Sequence, residues 1–334
     1  MGLSLLIPTT DRPKRLSRLL QFLIKHLPRL GIDVPIEIIV ADGSNEVSIN
    51  HFLSNFSDLC KSSSNLDFKY YHLPGSTFFQ RLCVLAVLST YEIIQYVGDE
   101  DFPIYSELQS HLSEFGLNQS LVAIAGAYIN IERHADNIIL TSAERPYSGI
   151  SIDFADPTAR IIQYCTLDSI GCASLFYSLQ RKRYVQDFFH HLATSNANYY
   201  YGGVEFMHKV HCLTAGSIML PSKTTLIRDQ LYHHYEVENQ RQAPSDDKYP
   251  YFGAKAVDYC IQRLSSFCNL DLDIARDTIA KVIINTEGVS YSRESARRHL
   301  YVSRNDIDQN AYADFVDVFS STFSTIYSST STSG

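Results

Sequence analysis

Three acidic residues, Asp99, Glu100 and Asp101, follow directly on the apolar run Ile93 to Val97 and the single residue Gly98. Carboxylates packed this closely repel one another unless something positive lies between them. A divalent cation bridging a diphosphate meets that need, since hard oxygen ligands suit Mg²⁺ or Mn²⁺ and the cation neutralises charge on a leaving group. A solvated acidic turn is the plainer alternative, and the triplet alone leaves it open. Two more polar clusters follow apolar runs in the same way. Pro8-Thr9-Thr10-Asp11-Arg12 comes after Leu3 to Ile7, and Asp42-Gly43-Ser44 after Ile36 to Ala41.

The elements that must position these clusters can be read from periodicity. Leu3 to Ile7, Ile36 to Ala41, Phe68 to Leu73 and Ile93 to Val97 read as buried strands. Between them, Leu16, Leu19, Leu20, Leu23 and Leu27 recur at helical spacing after Asp11 and Pro13, a second helix is expected near His51 to Leu59, and a third over Phe79 to Ser89. Strands alternating with helices give a sheet with crossover connections, whose ligands sit beyond the carboxyl ends of the strands. Pro8 to Arg12, Asp42 to Ser44 and Asp99 to Asp101 should therefore share one crevice.

The second half is less regular. The pattern predicts a helix over Ile104 to Phe115, one strand from Leu121 to Ile131, and a helix opening at Asp156-Pro157-Thr158. A helix over Glu205 to Leu213 and strands over Ser217 to Leu220 and Thr225 to Arg228 follow. From about Tyr249 helical patterns dominate, over Ala254 to Leu264, Ile274 to Ile284, Glu294 to Tyr301 and Ala311 to Phe319. Ser320 to Gly334 is rich in Ser and Thr and reads as a frayed tail.

Composition narrows the partners. With 36 acidic against 28 basic residues, the net charge of −8 argues against bulk affinity for nucleic acid or anionic lipid, although local basic residues can still hold a small phosphate ligand. The seven cysteines include no pair at two-residue spacing, which favours reduced thiols over a disulfide frame or zinc site. No window reaches the roughly 20 apolar residues a membrane span needs. His190-His191 and His208 with His211 lack a helical His-Glu-x-x-His arrangement, so packing is preferred to zinc binding. Tyr199-Tyr200-Tyr201 could offer aromatic faces to a sugar ring, with ordinary packing as the competing reading.

Leu5-Leu6-Ile7-Pro8-Thr9-Thr10-Asp11-Arg12, Glu37-Ile38-Ile39-Val40-Ala41-Asp42-Gly43-Ser44 and Gln95-Tyr96-Val97-Gly98-Asp99-Glu100-Asp101 resemble, in order and spacing, the three blocks of family 2 glycosyltransferases. The resemblance runs through about residue 105 and continues more thinly to about Arg228. It implies the GT-A nucleotide-diphospho-sugar transferase fold, a Rossmann-like mixed sheet flanked by helices. By position, Pro8, Thr9 and Arg12 would line the nucleotide pocket with Asp11 and Gly43 beside them, and Asp42 would hydrogen-bond the base. Asp99, Glu100 and Asp101 would serve ribose, diphosphate and metal, with Asp101 ranked ahead of Asp99 as ligand. Arg81 matches a donor-side basic position, where an exposed helix charge is the alternative. Glu205, after Gly202-Gly203-Val204, matches the acid that deprotonates the acceptor hydroxyl in an inverting transfer, although Phe206 stands where the family often has a second acid. Leu226 to Tyr235 resembles a late loop that closes on the diphosphate, with Arg228 clamping phosphate and His233 or His234 reaching phosphate or metal.

The expected organisation is a glycosyltransferase domain over residues 1–248, split into a donor half to about 105 and an acceptor half beyond it. A helical cap over 249–319 and the tail over 320–334 complete it. The implied partners are a UDP- or GDP-sugar donor, a carbohydrate or glycolipid acceptor, and Mn²⁺ or Mg²⁺. The implied setting is surface polysaccharide or glycolipid assembly in the cytoplasm, with a peripheral place at the inner membrane face as a variant. Sugar nucleotidyl transfer is a weaker alternative, because it needs a glycine-rich triphosphate loop and Pro8 to Pro13 has no glycine. A non-catalytic protein on a degenerate transferase fold is the other, kept open by Phe206.

Overall fold

A computed structural model describes residues 1–30, 34–45, 66–134, 137–142, 149–167, 173–195, 199, 201–221, 224–229 and 252–294. The first apolar run forms strand β1 (Leu3–Thr9) and the second forms β2 (Ile36–Asp42), each buried along its whole length. Cover on both faces is why these strands read as nearly continuous apolar runs, and the two polar residues within them, Ser4 and Glu37, are hydrogen-bonded to each other. Leu3, Leu5 and Ile7 pack with Ile36, Ile38 and Val40 beneath Leu16, Leu19, Leu20 and Leu23 of helix α1 (Pro13–His26). Leu6, Ile39 and Ala41 face the other layer, against Leu82, Leu85 and Ala86 of α2 (Phe78–Leu88). Thr77 and Gln80 form a capping box that starts α2, with hydrogen bonds of 2.8 and 3.2 Å. Pro13 opens α1 as expected, but Arg12 is the flanking residue, while Asp11 takes a left-handed conformation at φ 53°.

The remaining strands complete two sheets. β3 (Leu66–His72), β4 (Ile93–Tyr96), β6 (Leu121–Ile124), β9 (Ile150–Ile152), β10 (Leu179–Arg181) and β11 (Ser217–Leu220) join the first two in the order β3-β2-β1-β4-β10-β6-β11-β9. β3, β2, β1 and β4 run parallel, whereas β10 is antiparallel to both of its neighbours and β9 is antiparallel to β11. β5 (Asp101–Pro103), β12 (Thr224–Asp229), β7 (Ala127–His134) and β8 (Asn137–Ser142) form a smaller sheet in the order β5-β12-β7-β8. From β1 the chain builds outward through β2 to β3 and then returns to β4 on the other side of β1. That reversal places a crevice beyond the carboxyl ends of β1 and β4.

Two expectations need correction. The run from Leu121 to Ile131 is not one strand: β6 stays in the large sheet, and after Ala125-Gly126 the chain enters β7 of the small one. A Cβ on Gly126 would lie 2.1 Å from the Thr225 side chain, which packs into the space that glycine leaves open. The helix expected from Glu205 is α7 (Tyr201–Ala215), which begins a turn earlier and takes Gly202 and Gly203 into its first turn. The Gly-Gly pair signals close packing there, since a Cβ on Gly203 would stand 2.2 Å from the Phe252 carbonyl oxygen.

Around the sheets lie α3 (Leu108–Leu117), α4 (Pro157–Leu167), α5 (Ala173–Phe176) and α6 (Lys182–Thr194). Asp156 caps α4 as expected, accepting from the Thr158 amide at 2.9 Å. The helices α8 (Ala254–Cys268) and α9 (Leu272–Glu294) share one apolar core with α7 and the large sheet. α9 extends beyond both ends of the predicted Ile274 to Ile284. Among the described residues no helix is long and apolar enough to cross a membrane. The helices expected near residues 51–59 and 311–319, most of that over 294–301, and the tail lie outside the described residues.

Candidate functional site

The carboxyl ends of β1 and β4 meet through side chains. Thr9 donates to Asp99 Oδ2 at 2.8 Å, and Arg12, just before α1, reaches Asp99 Oδ1 at 3.4 Å and Glu100 at 3.8 Å. One turn into α1, Arg15 donates to Glu100 Oε2 at 2.6 Å. The Asp101 amide closes a tight turn onto the Gly98 carbonyl at 3.0 Å and starts β5. In register with it across the small sheet, Arg228 places Nε 3.2 Å from Asp101 Oδ1, with its guanidinium 4.7 Å above the centre of the Tyr177 ring. Each of the three acids is thus matched with an arginine, and the pairs come from distant parts of the chain.

The Asp42 cluster adjoins this set. The Gly43 amide donates to the Thr9 carbonyl at 3.0 Å, continuing the β1–β2 ladder past the strand ends. Asp42 Oδ1 accepts from the Ser44 amide at 2.8 Å and from the Ser44 hydroxyl, while Oδ2 accepts from Tyr70 on β3 at 2.7 Å. Ser44 Oγ also accepts from the Asp11 amide at 2.6 Å, and His72 lies 2.8 Å from the Ser44 carbonyl. Arg81 is buried on α2 with its guanidinium against Gly43 and bonded to the Ser76 carbonyl. Its burial rules out the exposed-charge reading. Among the described residues, Arg81 Nε and the Tyr96 hydroxyl are buried without hydrogen-bond partners, as are Arg18 Nε, His26 Nε2 and Gln163 Oε1 elsewhere in the fold.

Burial sets the electrostatics. Asp101 is 1% exposed and its carboxyl is pushed up to about 6, because desolvation outweighs the pull of Arg228. Asp99 is raised for the same reason, against Arg12 and the Thr9 hydrogen bond. Desolvation lowers Arg81, which Tyr96, Asp42 and Asp99 partly offset. Buried carboxylates that resist ionisation are held ready for positive charge.

A divalent cation fits this donor set. Mg²⁺ and Mn²⁺ are commonly held by one or two carboxylates together with substrate phosphates. A Cβ at Gly98 would stand 2.7 Å from Asp101 Oδ2, so glycine leaves that oxygen room for a further partner. Among the described residues no three His, Cys, Asp or Glu side chains cluster as a self-sufficient metal cage.

The sequence-derived residues divide into three groups. Pro8, Thr9, Asp11, Arg12, Asp42, Gly43, Arg81, Asp99, Glu100, Asp101 and Arg228 are brought to one mouth. Glu205 stands half-buried in the second turn of α7, between Val204 and Phe206, both fully buried, with Phe206 stacked on Phe252 at 4.6 Å. His233 and His234 lie outside the described residues. Ser44 is at the mouth as part of the expected Asp42 to Ser44 cluster, while Arg15, Tyr70 and Tyr177 hold the site without having been singled out for it. Arg15 follows Arg12 at a three-residue helical spacing, which was the available signal. His208, bonded to Gln180 at 2.8 Å, and His211, bonded to Tyr259 at 2.8 Å, are buried packing residues, both lowered to about 3 mainly by desolvation.

No protein-family profile and no curated protein matches the chain, but solved structures do. Residues 1–349 of TarS from S. aureus, solved in complex with UDP-GlcNAc, match at 12% identity over 95% of this chain and 81% of that one, with TM-score 0.59. A longer TarS chain matches at 13% identity with TM-score 0.54, over 95% of this chain and 49% of its own length. A mannosyltransferase from Pyrobaculum calidifontis, solved with GDP-Man and Mn²⁺, aligns over 96% of this chain and 86% of its own at 11% identity, with TM-score 0.47, a likeness too slight to argue from. The TarS matches establish the GT-A type of mixed α/β fold.

Proposed function

We propose that the protein is a glycosyltransferase that moves a sugar from a nucleotide-diphosphate donor to an acceptor hydroxyl, with inversion and with help from Mn²⁺ or Mg²⁺. The observation that carries this reading is the pairing of buried Asp99 and Asp101 with arginines at the reversal point of a GT-A sheet. The UDP-GlcNAc held by TarS makes a UDP-sugar the first donor to try. The sequence resemblance supports a carbohydrate or glycolipid acceptor, a cytoplasmic place and a role in surface polysaccharide or glycolipid assembly.

In this reading the Asp42–Ser44–Tyr70 cluster positions the base side of the nucleotide, and Thr9 and Arg12 hold Asp99 where the ribose and diphosphate pass. Asp101, with Asp99 beside it, would hold the cation. That cation would supply charge neutralisation of the leaving diphosphate. Arg81 and Arg228 supply positive charge for phosphate oxygens. Glu205 takes the acceptor proton as that oxygen bonds to the anomeric carbon and the bond to the diphosphate breaks on the opposite face. We take residues 1–105 as the donor half, 106–248 as the acceptor half and 249–319 as a helical cap ahead of the tail.

Thermal shift with UDP, with and without Mn²⁺, tests the donor half, because a ligand that binds the folded state raises its melting temperature. UDP should stabilise the protein more with Mn²⁺ present, and D101A should remove the Mn²⁺-dependent part. An unchanged Mn²⁺-dependent shift in D101A would sink the metal assignment. For the base, E205Q should lower kcat by on the order of 10² or more while donor binding persists, and a wild-type rate would remove Glu205 from the mechanism.

A further inference from the structure

Arg228 and Asp101 face each other across an antiparallel strand pair, with Nε 3.2 Å from Oδ1 and side-chain exposures of 13% and 1%. Tyr177 lies under the guanidinium at 4.7 Å and fixes it over the carboxylate. Beside this pair, Arg12 takes Asp99 and Arg15 takes Glu100. Each of the three acids thus already faces an arginine, and the Arg81 guanidinium is a further cation close to Asp99. A dication entering this set alone would face the Arg228 guanidinium across a single carboxylate group, where like charges a few ångströms apart repel strongly in a desolvated site. A diphosphate arriving with the cation changes the balance, because it brings negative charge that can take both the cation and the guanidinium.

We infer that Arg228 is an internal counter-ion for Asp101, occupying that carboxylate in the donor-free protein and yielding it to the cation when the nucleotide diphosphate binds. The inference rests on the reading of Asp101 as the metal-holding carboxylate. Arg228 is then a positioning residue with two partners in sequence, Asp101 before the donor arrives and phosphate oxygen afterwards. Cation and nucleotide must consequently bind with strong mutual dependence, since the binding of each supplies the charge that the other needs.

The test measures Mn²⁺ affinity directly, by the electron paramagnetic resonance signal of free Mn²⁺, with and without UDP. Removing the guanidinium in R228M should tighten binding of Mn²⁺ alone by about tenfold, because a like charge a few ångströms from the cation is gone. R228K, which keeps the charge, should stay near wild type. UDP should strengthen Mn²⁺ binding by a larger factor in wild type than in R228M. Should R228M not fold, R228Q carries the same expectation. Equal or weaker binding of Mn²⁺ alone in the neutral variants overturns the exchange. D101N separates the two levels: loss of Mn²⁺ binding in D101N with no change in R228M defeats the exchange alone. Full retention of UDP-dependent Mn²⁺ binding in D101N defeats the metal assignment beneath it.

Discussion

Asp101 concentrates the conflict at the mouth, since burial raises its carboxyl to about 6 from an ordinary 3.8 while Arg228 opposes that shift. Between about pH 4 and pH 6 the folded chain holds a proton there that the unfolded chain has lost. Stability from this group therefore falls as pH rises through that window and is level above it. D101N lacks the titration, so its stability relative to wild type should rise across the window by at most about 3 kcal/mol and then stay constant. Urea denaturation of both proteins from pH 4 to 7 measures the difference, in which titrating groups remote from the mouth cancel and the coupled neighbours Asp99 and Glu100 contribute in part. A difference that does not change with pH would mean that Arg228 keeps Asp101 ionised in the fold throughout. Arg81 shows the same principle from the other sign: a lone charged residue on a helix is usually exposed, yet here it is buried among Tyr96, Asp42 and Asp99.

Among the elements, β1, β2 and β4 were legible because each is buried along its length and so appears as a mostly apolar run, broken only by Ser4, Glu37 and Gln95, that ends in polar residues. β1, β2 and β4 could be placed to within a residue or two, and with them Thr9, Asp42 and Asp99. Partnerships that cross the chain left no such trace. Arg228 and Asp101 are 127 residues apart, and nothing local to either names the other. The break between β6 and β7 was hidden for a related reason, since Leu121 to Ile131 is apolar but for Asn130 and the close approach of Thr225 to Gly126 joins residues far apart in the chain. G126A should cost about 1–3 kcal/mol through overpacking against Thr225. The same change in a T225A background should cost clearly less, a coupling that a double-mutant cycle measured by thermal or urea unfolding reads out. Additive effects would place the strain elsewhere. Because β12 carries both Thr225 and Arg228, G126A should also weaken UDP binding, and T225A should restore part of it.

For the whole molecule, the net charge of −8 and the arginines at the mouth act at different ranges. The overall charge keeps polyanions away, while Arg12, Arg15, Arg81 and Arg228 gather beside three acids, where a small phosphate ligand meets them at close quarters. That local arrangement depends on a core that reaches well beyond the donor half. Val257, Cys260, Ile261 and Leu264 of α8 and Ala275, Ile279, Val282 and Ile283 of α9 belong to the same buried cluster as Leu6, Ile39 and Tyr96 beneath the site. An independent helical appendage would have its own core, and here the apolar packing is continuous from α9 through α7 to the sheet. The described chain should therefore unfold in one cooperative transition. L264A, which empties a fully buried position, should destabilise by about 2–5 kcal/mol. Hydrogen exchange would resolve where that loss falls: slow amides in β1 and β4 should lose protection by the same free energy as those in α8. Loss confined to α8 and α9, with the sheet unchanged, would show that the C-terminal helices open separately from the part that holds Asp99 and Asp101.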